Sequence, residues 1–160
     1  MRLPILAVAL LLPAAPLLAA QSSSPRQMME ELGVAPSRQD VARAVERARS
    51  EPLGSSRNPV RVSGVGGEHA YIARLRCSDG SRPRVGDRHN DGVGAFGTIV
   101  DVWPLDCGSA VPGRFDLVLD MYHDNYVETR APAGFSLTPA GDGGRESGGT
   151  EKPAPADPTV

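Results

Sequence analysis

The chain has 160 residues, with 17 basic and 19 acidic side chains, 18 glycines, 15 prolines and 2 cysteines. That length allows one domain, since domains commonly run to about 100–150 residues. The net charge is −2 and residues 58–137 interleave 8 Arg with 10 Asp and Glu, which argues against a nucleic-acid partner, because such proteins cluster their cations against phosphate.

Aromatic residues make up 4% of the sequence, so the core must be small and built from Val, Leu, Ile and Ala. Residues 1–20 carry one charge, Arg2, then an apolar run ending in Ala19 and Ala20. This is the layout of a secretory signal peptide cut after Ala20. The run holds Pro4, Pro13 and Pro16 and falls short of the roughly 20 apolar residues of a membrane span. The expected mature protein is therefore periplasmic or secreted and does not span the membrane.

Residues 21–57 read as short helices and a linker. Ser24, Pro25 and Gln27 form a capping-box start, with Met28, Met29 and Leu32 as an apolar patch and Gly33 as a stop. Ser37 and Asp40 open a second helix, in which Val41, Ala44, Val45 and Ala48 recur at helical spacing. Residues 51–56 have linker composition.

Residues 58–137 read as a small β domain. Expected strands cover 59–63, 69–77, about 96–107 and 114–123, with Pro104 interrupting a ladder or marking an edge. Alternation in 114–123 points Leu117, Leu119 and Met121 inward and Asp116, Asp120 and Tyr122 outward. Residues 78–94 read as a long polar loop. A brief last strand is expected at 135–137. Residues 138–160, rich in Gly, Pro and acids, read as a disordered tail. The fold class is thus mainly β within an α+β frame: a small antiparallel or mixed sheet of four to five strands, one or two N-terminal helices and one disulfide.

That disulfide is Cys77–Cys107, the simplest state of two cysteines in an exported chain. Were residues 69–77 and 96–107 strands of one plain hairpin, their ends would lie about 25 Å apart. A disulfide needs Cα atoms within about 7 Å. The expectation is that these two strands run in the same sense, with 96–107 and 114–123 as the antiparallel pair.

Motifs for chemistry are sparse. Gly92, Gly94 and Gly97 match a dinucleotide pattern but lack its strand-before, helix-after setting. Residues 87–98 begin like a calcium loop, yet His89 and Thr98 stand at two ligand positions. Strand order would bring His69 and His123 to one sheet end, near Asp120, Asp124 and Tyr126, as weak candidates for a metal site. Polar residues at strand ends are the plainer explanation. No catalytic residue is assigned and no cofactor is implied. Trp103, Tyr122 and Tyr126 form a candidate recognition patch.

The strings ARLRCSDG (73–80), GTIVDVWPLDC (97–107) and LDMYH (119–123), following an export signal, resemble a group of small uncharacterised exported proteins of Gram-negative bacteria. The resemblance covers about residues 58–137 and implies location and a shared β domain, without an assigned activity. The functional expectation is a non-enzymatic binding or envelope-interaction module, acting on a protein or envelope component and including inhibition of a host or competitor enzyme. The alternative is a metal-binding protein or metal-dependent hydrolase using His69 and His123.

Overall fold

A computed structural model describes residues 23–139; the expected signal peptide, 1–20, and all but the first two residues of the expected tail lie outside them. Two capped helices come first. In α1, Pro25–Glu31, Ser24 accepts from the Gln27 amide while the Gln27 side chain accepts from the Ser24 amide. In α2, Arg38–Ala48, Ser37 accepts from the Asp40 amide. The box of α1 and the serine cap of α2 satisfy amides that a helix start otherwise leaves unpaired.

The strands are β1 (Val60–Ser63), β2 (Leu75–Arg76), β3 (Arg84–Val85), β4 (His89–Val93), β5 (Ile99–Asp106), β6 (Arg114–Asp120), β7 (Tyr122–Val127) and β8 (Ser136–Leu137). The main sheet is mixed, in the order β3-β5-β6-β1-β7, with β4 also on β5. β5 and β6 form the antiparallel pair expected from sequence, in continuous register from Asp101↔Leu119 to Asp106↔Arg114. β1 runs parallel to β6 and antiparallel to β7. β2 and β8 make a separate ribbon.

The largest departure is residues 69–77. They are not a strand: helix α3, Gly64–Arg74, occupies most of the segment. A strand there would put the neighbours Tyr71 and Ile72 on opposite faces, yet both are buried. Glu68, Tyr71, Ile72 and Leu75 are buried together at the i, i+3, i+4, i+7 spacing of a helix face. Three glycines at its start masked that period. Gly67 allows the close approach: a Cβ there would lie 3.1 Å from Val62 Cβ.

The disulfide joins Cys77 to Cys107 with Cα atoms 5.8 Å apart. The strand argument offered for it does not hold, because Cys77 follows a helix and the two-residue β2, and β2 pairs with β8 rather than β5. A helix rises only about 1.5 Å per residue where a strand rises about 3.3 Å, so the segment spans far less than a strand would and no parallel strand is needed.

Two further differences matter for the site. Residues 78–94 are not an open loop but carry β3 and β4, which pair with β5. Between them the ladder breaks at Pro104, whose carbonyl accepts from the Gly86 amide but which has no N–H to return. Arg88 leaves the ladder there and turns inward. The strand expected at 114–123 is broken at Met121 into β6 and β7. From Leu117 to Asp120 both faces are covered, so Asp120, and Tyr122 just beyond, expected outward, are buried.

The main core gathers Val60, Val62, Trp103, Leu105, Leu117 and Leu119 of the sheet under Tyr71, Ile72 and Leu75 of the α3 segment. Across the sheet, Val100, Val102 and Val118 form a second patch, and Phe96 meets Ala44 and Ala48 of α2. Residues 51–56 pack as well: Leu53 lies on the main core, and the Gly54 carbonyl accepts from the Val118 amide. Among the described residues no helix is long and apolar enough to cross a membrane.

Candidate functional site

Three buried carboxylate centres organise the polar interior. The first lies between α3 and β5. Glu68 is 0% exposed and Asp101 6%. One atom serves both: Arg88 Nη1 lies 3.3 Å from Glu68 Oε2 and 3.4 Å from Asp101 Oδ2. The Trp103 indole N–H donates to the same Glu68 Oε2 at 3.4 Å. Glu68 Oε1 is buried with no partner. Burial, and then the neighbouring Asp101 charge, push the Glu68 carboxyl up to about 7. Two buried carboxyls facing one cation favour a retained proton for this reason.

The second centre is Asp120, 0% exposed at the end of β6. The Thr98 hydroxyl donates to its Oδ2 and the Tyr122 amide to its Oδ1. His123 Nε2 stands 3.4 Å from Oδ2, too poorly aligned to count as a hydrogen bond, so that buried nitrogen has no partner. The imidazole lies edge-on to Phe96 and Tyr126.

The third is Glu128, 2% exposed. Its Oε1 accepts from the Thr129 and Arg130 amides and Arg130 Nε, and its Oε2 from Arg130 Nη2 and the Tyr126 hydroxyl. Burial alone would raise this carboxyl; the Arg130 hydrogen bonds outweigh it and hold the group below the usual carboxylate range.

Beside the Asp120 and Glu128 centres lies a groove of about 220 Å³ lined by Arg26, Arg38, Val41, Tyr122, His123, Asp124 and Tyr126. The helices supply its cations and β7 its aromatic wall. Arg61 lies over the Tyr126 ring at 4.0 Å and donates to its hydroxyl at 2.7 Å, fixing that wall. Arg26 is held by Glu30 and the Pro36 carbonyl.

The residues singled out from sequence divide accordingly. Tyr122 and Tyr126 share the groove, but Trp103 does not line it; it is buried beneath α3, where the His69 ring meets it edge-on at 5.2 Å. His69 and His123 therefore have different aromatic neighbours, Trp103 for one and Phe96 with Tyr126 for the other. Among the described residues no three His, Cys, Asp or Glu side chains converge as metal ligands. Residues 87–98, read as an imperfect calcium loop, form β4 and the turn of the β4–β5 hairpin, with the Thr98 hydroxyl turned inward to Asp120. The glycine pattern 92–97 closes that hairpin and precedes a strand, not a helix. Sequence reasoning missed Glu68 and Glu128. The helical spacing of Glu68 with Tyr71, Ile72 and Leu75 could have revealed the first; no comparable pattern marks the second.

The chain matches no family model, no curated protein and no solved structure.

Proposed function

We propose that this protein is an exported, non-enzymatic binding module of the cell envelope or its surroundings, and that its ligand enters the groove between the two N-terminal helices and β7. The observation carrying this reading is that Arg26 and Arg38 from the helices and Tyr122, His123, Asp124 and Tyr126 from β7 line one groove. Rigid aromatic walls with arginines beside them are the usual anchors of recognition surfaces. Export is supported by the leader-like residues 1–20 and by the Cys77–Cys107 bond, which persists in oxidising compartments.

The test is NMR titration of isotope-labelled protein with cell-wall glycan fragments, carboxylate-terminated peptides and anionic lipid vesicles. Shifts should cluster at residues 38–41 and 122–126. Joint Arg38→Ala and Tyr126→Ala substitution should then weaken that ligand by about tenfold, or roughly 1.4 kcal/mol. Shifts centred elsewhere, or unaffected by the double substitution, would reject the groove as the site.

A further inference from the structure

Glu68 and Asp101 do not line the groove and are unexplained by it. Its geometry poses a charge problem. Glu68 is wholly buried, Asp101 nearly so, and the cation in contact with both is Arg88, whose side chain is 38% exposed. One guanidinium nitrogen cannot neutralise two buried carboxylates at once. The other charged or titratable groups around them do not help: Tyr122 is the group facing them from β7, and His69 neighbours the cluster on α3, turned to Trp103. The second negative charge must therefore carry a proton or reach water. Glu68 Oε1, buried without a donor, is the atom where a proton would sit.

Water comes nearest to the cluster at Arg88, whose side chain is part exposed. Arg88 belongs to the short segment where Pro104 interrupts the ladder between β3 and β4. The residues of β3 and β4 on either side are all exposed.

We propose that Glu68, Asp101 and Arg88 form a proton-controlled gate: one proton shared by the two carboxyls keeps Arg88 across them and residues 86–90 docked, and its loss to solvent admits water past Arg88 and loosens that segment. The direction follows from which influence is largest. Burial and Asp101 raise the Glu68 carboxyl, while Arg88 lowers it least of all. Hydration removes the larger effects, so the open form holds the proton less tightly and is favoured as pH rises.

The molecule carries its own probe, since Trp103 is the sole tryptophan, with its N–H on Glu68 and its ring 6.0 Å from Arg88. Tryptophan fluorescence and amide hydrogen exchange should be followed from pH 5 to pH 9 on the disulfide-bonded protein. A sigmoidal fluorescence change centred near neutrality is expected. Protection of residues 86–90 should fall, after correction for intrinsic exchange, by up to about tenfold per pH unit across it. Glu68→Gln should abolish both changes. His69→Asn should preserve both, which separates the gate from an imidazole titrating beside the indole. Arg88→Gln, at a position whose side chain is 38% exposed, should move the midpoint to higher pH by removing the charge that opposes protonation. A flat wild-type response, a transition lost in His69→Asn but kept in Glu68→Gln, or an unmoved midpoint in Arg88→Gln would each overturn the gate.

Discussion

Glu68 and Glu128 are both buried glutamates, 0% and 2% exposed, and their carboxyls are displaced in opposite directions. Desolvation acts on each. The difference is the supply of donors. Glu128 receives two main-chain amides, two Arg130 nitrogens and a tyrosine hydroxyl, on both oxygens, most of them near 3.0 Å. Glu68 receives two long contacts on one oxygen and none on the other, with a second carboxyl alongside. A buried carboxylate with its lone pairs filled is a fastener; one left half-filled is a proton-binding group. Glu128 fastens the turn after β7, where the Arg130 carbonyl also accepts from the buried Tyr71 hydroxyl at 2.9 Å. Glu68 instead makes the α3–β5 contact sensitive to pH.

The largest expected effect tests the scaffold that both share. Replacing Cys77 and Cys107 with alanine opens a loop spanning 30 residues. In the chain-entropy model this costs about 3–4 kcal/mol. The loss should be equal at pH 5 and pH 8, because the bond carries no titrating group. Denaturant melts at the two pH values measure it. A loss concentrated at one pH would show that the bond acts through the position of α3 and so through Glu68, breaking the separation between scaffold and switch.

The second test sets the two glutamates against each other. The Glu68 carboxyl is raised, so its contribution is complete below the ordinary glutamate value of 4.5 and is lost as pH climbs through about 7. Linkage puts that loss on the order of 3 kcal/mol at most. The Glu128 carboxyl is lowered, so its contribution is present above the ordinary value and lost as pH falls through its depressed one. Glu68→Gln should flatten the decline between pH 4.5 and 7 and leave the acid limb alone. Glu128→Gln should cost about 2 kcal/mol at neutral pH, where a hydrogen-bonded charge is lost, with the difference from wild type shrinking in acid. Thermal melts across pH 3–9 read both. Parallel slopes in the two variants would mean that donor count does not set the sign.

This contrast was mostly hidden in the sequence. Local signals were readable where a few adjacent residues fix the backbone: the Ser24 and Ser37 caps, the β5–β6 pair with its alternating apolar positions, and the two cysteines of the disulfide. They failed at α3, because three glycines weaken the helical signal and HAYIARLRC also alternates, so two periods fit the same letters. They failed at β4, whose five residues are all exposed and polar or small apart from Val93; main-chain pairing to β5 alone defines it. Of the candidate site, the two tyrosines of β7 were visible as a cluster within five residues. Arg26 and Arg38 reach them only through packing across nearly a hundred positions. Glu68 and Glu128 read as ordinary solvated acids, since burial of a lone charge depends on partners distant in the chain.

The smallest expected effect asks how many donors a fastening carboxylate needs. Tyr126 links the groove to Glu128: its hydroxyl accepts from Arg61 at 2.7 Å and donates to Glu128 Oε2 at 3.4 Å. Tyr126→Phe keeps the ring beneath Arg61, whose guanidinium carbon lies 4.0 Å from its centre. It removes one long donor from an acceptor that retains four shorter ones. It also takes the acceptor from Arg61, so two hydrogen bonds are lost; the stability loss should be about 1–2 kcal/mol at the ordinary net value of each, and the acid limb assigned to Glu128 should stay where it is. Urea melts at neutral pH and at pH 3–4 give both quantities. A loss above about 2 kcal/mol, joined to a shift of the acid limb toward higher pH, would mean that the hydroxyl and not Arg130 holds the carboxylate. Glu128 would then resemble Glu68, one donor away from taking up a proton, and the groove wall would be coupled to that proton through Tyr126.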